Sequence, residues 1–135
     1  MNEKEFIFKT TFAAIGTAIT AWCGGWDIAL KVLVYLMVLD YITGFLGAVR
    51  QKKVNSEVMF WGGIRKIVIL SLVALAVLLD KLFGNTGPVL RTLAMYYYAG
   101  REGISMIENV GKIGLRMPPK FKSIFQQLQE KGEEK

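Results

Sequence analysis

Long apolar runs alternate with short polar stretches along most of the chain. The run over 28–49 is long enough to cross a bilayer, since about 20 apolar helical residues match the hydrocarbon core. The run over 64–83 reaches the same length when its polar ends extend toward the membrane surface. The pattern therefore predicts two membrane-spanning helices in the first two thirds of the chain.

Two weaker runs flank these spans. The run over 6–23 contains Lys9 and many small residues, and an interfacial amphipathic helix is its alternative structure. The run over 88–108 becomes polar toward its end, so that 101–116 either spans the membrane or lies at its surface. The predicted fold is an all-α integral membrane protein with three to four transmembrane helices and a short charged tail. Its membrane domain covers 1–119, and the cytoplasmic tail covers 120–135.

A carboxylate lies near the middle of the span over 28–49. Asp40, Gly44 and Gly47 (or Ala48) are spaced along one stripe of this helix. An ionisable side chain at that depth costs roughly 3 kcal/mol and normally faces a partner helix or water, while small residues allow close helix approach. The stripe predicts an assembly contact or a pore wall. An ion pair inside one bundle is the structural alternative.

Polar residues at helical spacing follow the last apolar run. They predict a polar seam along one helix face that lines a water-filled space, and a solvated amphipathic helix is the alternative. Counting 1.5 Å per residue from the outer ends of two parallel helices brings Arg101 to the level of Asp40 and suggests that they pair. The candidate oligomerisation and pore-lining residues are Asp40, Thr43, Gly44, Gly47, Ala48, Arg101, Glu102, Ser105, Glu108 and Asn109.

Basic residues surround the connection between the two strong spans, where Glu57 is the one acidic residue. By the positive-inside rule this connection is cytoplasmic, which places both termini in the cytoplasm of a multi-pass membrane protein. The topology determinants are Arg50, Lys52, Lys53, Arg65 and Lys66. The net charge of +6 therefore fits cytoplasmic loops and contact with anionic lipid, and no nucleic-acid partner is expected.

The chain has no histidine and one cysteine, Cys23. These counts rule out a Ser-His or Cys-His nucleophile within the chain, an internal disulfide and a cysteine-based metal cluster. We therefore expect no enzyme activity, no metal and no cofactor.

Several motifs occur in an order that resembles one known family. They are Leu39-Asp40-Tyr41-Ile42-Thr43-Gly44, Asn55-Ser56, Gly62-Gly63-Ile64-Arg65-Lys66, Asp80, the stretch from Tyr98 to Asn109, Gly114 and Pro118. Over roughly residues 27–128 the chain is similar to the phage holin family that includes the clostridial toxin-secretion holins. The resemblance implies a homo-oligomer in the bacterial inner membrane, which forms lesions that release an endolysin or a toxin and so trigger host lysis.

Two other functions fit the same composition. A small proton-coupled multidrug-type exporter would use Asp40 to exchange protons for a cation. A structural membrane adaptor would present the basic tail to partners and leave permeability unchanged. Loss of membrane potential with release of large solutes separates the lesion from both alternatives.

Overall fold

The computed structural model describes residues 2–133, which form five helices joined by short turns. These are α1 (Glu3–Trp22), α2 (Ile28–Arg50), α3 (Ser56–Leu82), α4 (Val89–Ile113) and α5 (Pro119–Gly132). Residues 2–133 contain no β-strand. Positions 134 and 135 of the predicted tail lie outside the described residues.

Helix α1 stands apart from the other four helices. The Asn2 side chain accepts a hydrogen bond from the Glu5 amide at its start, and Gly24 and Gly25 adopt positive φ angles just beyond its end. None of its residues is buried, although it carries large apolar side chains such as Phe8, Phe12 and Ile15. The helix predicted over 6–23 therefore forms, and among residues 2–133 no other helix buries a residue of α1.

Helices α2 and α3 are the two helices within 2–133 that are long and apolar enough to cross a membrane. Most of their apolar side chains point outward, including Val38 and Phe45 of α2 and Leu75 of α3. Helix α3 begins eight residues before the predicted span over 64–83, because Asn55 caps it by accepting hydrogen bonds from two backbone amides of its first turn. The third and fourth spans, over 6–23 and 88–108, stay predictions.

Helix α4 is the centre of the molecule and packs on α2, α3 and α5. It is the most buried helix despite its polar sequence, since its faces are covered from both sides. Its Met95 and Met106 meet Leu33 of α2 and Val73 of α3 in the apolar core. Gly114 ends it in the left-handed conformation, with φ of 101°.

Helix α5 packs along α4 in the antiparallel direction. A Cβ atom at Gly100 would lie 2.5 Å from the carbonyl oxygen of Phe125, and one at Gly103 would overlap the Phe125 ring. Gly132 lies equally close to the backbone of Tyr97. Much of the segment predicted as a charged tail is thus an ordered helix, held on α4 where glycine removes the side chain and lets the backbones approach.

Candidate functional site

An ion triad connects the three central helices. Lys66 Nζ donates hydrogen bonds to Asp40 Oδ2 and to Glu102 Oε2, each at 2.7 Å. The side chains of Asp40, Lys66 and Glu102 are 14%, 16% and 9% exposed. One ammonium group therefore holds two largely buried carboxylates, one each from α2 and α4, and ties α3 to both helices.

Helix geometry explains why Asp40 and Lys66 meet. Asp40 lies ten residues before the end of α2 and Lys66 ten residues after the start of α3. Because α2 and α3 run in opposite directions and are joined by a short connection, these two residues lie at the same level. Sequence reasoning assigned Lys66 to topology alone, and this matched spacing is the signal that would have found its partner.

Asn109 extends the triad along α2. Its Nδ2 atom donates to Asp40 Oδ1 at 2.8 Å and to the Asp40 carbonyl oxygen at 3.0 Å. A Cβ atom added at Gly44 would lie 3.4 Å from Asn109 Nδ2, and one added at Gly47 would lie 3.3 Å from Lys112 Cβ, which is closer than an ordinary contact. The small-residue stripe predicted on α2 is therefore occupied by α4 of the same chain.

The predicted pair between Asp40 and Arg101 is wrong for contacts within the chain. Lys66 is the partner of Asp40, whereas Arg101 is exposed and its guanidinium lies 5.9 Å from the ring centre of Tyr97. Successive residues of a helix point about 100° apart, so Glu102 is directed at Lys66, whereas Arg101 is directed away from the ion triad. Counting residues along each helix placed Asp40 and Arg101 at the same height, but it did not include the direction in which each side chain points.

The other predicted seam residues divide between two environments. Ala48 and Ser105 line a cleft beside the ion triad, and Thr43 Oγ1 donates to the Leu39 carbonyl oxygen at 2.6 Å. Glu108 is exposed and does not line this cleft. The structure thus brings most of the seam together on the α2–α3 side of α4 and leaves Glu108 apart.

A second polar cluster, the Arg91 cluster, lies at the end of the bundle where α2 and α4 begin. The Arg91 guanidinium donates to the Asp27 carboxylate at 2.7 and 3.1 Å and to the carbonyl oxygens of Cys23 and Gly25. Hydrogen bonds from Arg91 hold the pKa of Asp27 below its ordinary value. Arg91 is 5% exposed, so the connection between α1 and α2 is fastened to α4 by a buried cation.

Asp80 completes the Arg91 cluster from the end of α3. Its carboxylate accepts hydrogen bonds from the backbone amides of Leu90 and Arg91 at 2.8 and 3.0 Å, and from the Asn85 side chain. These amides belong to the first turn of α4, so Asp80 acts as an N-terminal cap supplied by another helix. In the sequence Asp80 was recognised only as one of the family motifs, and the cluster was missed.

The ion triad and the Arg91 cluster both hold charged side chains inside the bundle. Every buried side-chain nitrogen or oxygen in residues 2–133 has a hydrogen-bond partner. The same residues include no group of three His, Cys, Asp or Glu side chains placed to hold a metal ion. Both polar clusters connect helices, and each is satisfied within the chain.

Comparison with known proteins identifies the family. The sequence profile of the bacteriophage holin family matches residues 17–130. The chain belongs to the bacteriophage holin family. This membership, together with the two candidate spans, supports a holin-like role for a non-enzymatic membrane protein.

Relatives of this holin-family chain come from Gram-positive bacteria and a phage. An uncharacterized 14.9 kDa protein of Clostridium perfringens is 37% identical over 123 residues, which cover 91% of this chain and 93% of the relative. An uncharacterized protein of Listeria monocytogenes is 34% identical over 90% of the chain and 86% of its own length. A probable holin of Bacillus phage phi105 is 30% identical over 66% of the chain and 65% of its own length. No solved structure matches significantly.

Proposed function

We propose that this protein oligomerises in the bacterial inner membrane and forms water-filled lesions that let an endolysin reach the cell wall. A secreted toxin is the other cargo that the family resemblance suggests. The released protein crosses the membrane through the assembly, and the holin chain itself carries out no chemical reaction.

The observation that carries this proposal is the packing of the polar helix α5 along the middle of α4, from Tyr97 to Gly103. Tyr97, beside Gly132 of α5, lies six residues after Arg91 in α4, or about 9 Å along the helix axis. If the Arg91 cluster lies at one membrane surface, this level falls inside a hydrocarbon core of about 30 Å. In this proposed placement α5 lies at membrane depth, while Lys122, Glu130 and Lys131 on it are exposed.

Charged side chains at such a depth are not stable against lipid. Each costs roughly 3 kcal/mol near the centre of a bilayer unless it faces protein or water. Gly100 and Gly103 of α4 point toward α5, whereas Glu102 points toward α3 on the opposite face of α4. The molecule is therefore layered, with α2 and α3 on one side of α4 and α5 on the other.

This layering suits one subunit of a ring. The outward faces of α2 and α3 are apolar and match lipid, as Val38 and Leu75 illustrate. The outward face of α5 is polar and matches a water-filled lumen shared by several copies. Because the stripe at Asp40 and Gly44 is covered by α4, we propose that contacts between copies involve α1, whose apolar side chains are exposed.

Cysteine labelling tests whether α5 lines a lumen. We expect Gln127→Cys, in a Cys23→Ala background, to react with a membrane-impermeant thiol reagent added outside cells once membrane potential collapses. Gln127 is exposed on α5. The matched control is Val38→Cys, which is exposed on the apolar face of α2 and is expected to stay unlabelled in lipid. Labelling of Val38→Cys alone, or of neither position after collapse, would contradict the proposal.

A further inference from the structure

A cleft of about 950 Å³ opens between α2 and α3, with α4 as its floor. It exists because α2 and α3 each pack mainly on α4 and touch one another little. Its wall includes exposed residues such as Tyr41 and Val68, so the cleft is accessible from the side of the bundle. A membrane lipid could enter it directly from the bilayer, without passing through the protein.

The cleft carries an excess of positive charge. Its lining contains five cationic side chains and two carboxylates, a net charge of +3. Both carboxylates already bind Lys66. The remaining cations form no salt bridge within residues 2–133; they are Lys53, Arg65, Arg101 and Lys112. The positive charge of the cleft therefore favours binding of an anion that residues 2–133 do not supply.

Polar and apolar residues are ordered along the length of the cleft. Lys53 and Asn55 lie at the end formed by the connection between α2 and α3, and Arg65 lies further along α3. One and two helical turns beyond Arg65, the wall becomes apolar at Val68 and Leu72. Apolar residues also line the earlier part of the α3 wall, namely Val58, Met59, Trp61 and Ile64. Beyond Lys66 every lining residue of α3 is apolar, which matches acyl chains that extend away from a headgroup bound by the cationic side chains.

We propose that this cleft binds an anionic phospholipid. Its phosphate lies between Arg65 and Arg101, since guanidinium groups bind phosphate oxygens in pairs, and its acyl chains lie along Val68 and Leu72. Basic pockets between membrane helices near the cytoplasmic surface bind anionic headgroups in this way. This inference rests on the cleft and its charges, and it holds whether or not the chain forms lesions.

Lipid retention tests the proposal on the full chain. The protein is purified from bilayers containing equal amounts of phosphatidylglycerol and phosphatidylcholine, and the retained lipids are counted by native mass spectrometry. We expect the wild-type protein to retain phosphatidylglycerol in preference to phosphatidylcholine. The double variant Arg65→Gln with Arg101→Gln should retain at least about tenfold less phosphatidylglycerol, because its charge-assisted hydrogen bonds to the phosphate are lost. The matched control is Arg116→Gln with Lys120→Gln, which removes equal charge outside the cleft and is expected to retain the lipid.

A photoreactive group at Leu72 gives a second readout that does not depend on how the double variant folds. We expect it to crosslink to phosphatidylglycerol acyl chains, and excess inorganic phosphate should not displace the lipid. Equal retention of the two phospholipids, equal losses in both double variants, or displacement by phosphate would overturn the proposal. Crosslinking of Leu72 to a second copy of the chain would also overturn it, because another subunit would then fill the cleft.

Discussion

At the residue scale, Lys66 stabilises two carboxylates that would otherwise be buried without a counter-charge. Each of its bonds, to Asp40 and to Glu102, is 2.7 Å long, and they join residues from α2 and α4. Removing one partner of a buried ion pair lowers the free energy of unfolding by more than the intact pair contributes to it, because the remaining charge stays buried without water or a counter-charge. The triad therefore makes the packing of α2, α3 and α4 depend on one lysine.

We predict that Lys66→Met lowers the free energy of unfolding by about 3 kcal/mol, since it leaves both carboxylates without their cation. The measurement is equilibrium unfolding in detergent micelles, followed by circular dichroism. Lys31→Met is the control, because Lys31 is exposed on α2 and such changes usually cost under about 0.5 kcal/mol. Equal stability of the two variants would show that the triad does not hold the helices together.

The pair between Asp27 and Arg91 predicts a dependence on pH. Hydrogen bonds from Arg91 lower the folded-state pKa of Asp27, so the pair stabilises the fold above the ordinary value of about 4 and loses this effect as pH falls through the folded-state value. Asp27→Asn should lower the melting temperature at pH 7 by an amount equivalent to at most about 1 kcal/mol, because Asp27 is half exposed.

The difference between wild type and Asp27→Asn should narrow as pH falls below about 4 and close only when pH passes the lowered folded-state pKa of Asp27, where the paired carboxylate becomes protonated. Asparagine caps helices about as well as aspartate, so the cap made to the Leu30 amide is preserved and the variant isolates the ion pair. A melting-temperature difference that is the same at pH 7 and pH 3 would mean that the pair contributes nothing.

At the element scale, the sequence predicts helices more readily than their partners. Helices α2 and α3 follow from apolar runs alone, because length and composition decide whether a helix can cross a bilayer. The docking of α5 depends on close approach at Gly100 and Gly103, and glycine spacing in one helix does not reveal which helix occupies the space. The pairing of Asp40 with Lys66 likewise depends on side-chain direction. Counting the rise per residue along each helix gives the height of a residue and not that direction.

We predict that Gly100→Val separates α5 from α4. Its Cβ atom would lie 2.5 Å from backbone atoms of α5, which cannot move aside as a side chain can. Overpacking costs about 1–3 kcal/mol, which corresponds to a rise in hydrogen exchange of α5 amides of roughly 5-fold to 150-fold. Gly111→Val on the same helix is the control, since a Cβ atom there would meet no atom within 4 Å. Unchanged protection of α5 in Gly100→Val would show that the contact does not hold it.

At the scale of the whole molecule, the chain presents two different surfaces on opposite sides of α4. The apolar faces of α2 and α3 suit lipid, and the polar face of α5 suits water. The composition indicated a membrane protein, and the motifs from Asp40 to Asn109 indicated the holin family, which the profile match confirms. The layered arrangement was not predictable, because the charged C-terminal segment gives no sign that it folds back beside the membrane helices.

Release of an entrapped folded enzyme from liposomes tests the central claim most directly. Purified protein is added to vesicles of bacterial lipid at increasing protein-to-lipid ratios, and escape of the enzyme is followed together with ion leakage. We predict that enzyme and ions escape together, with a steep dependence on protein concentration, since assembly requires many copies. Ion leakage without enzyme escape at any ratio would indicate a transporter, and vesicles that stay sealed would indicate an adaptor; either result would contradict the lesion.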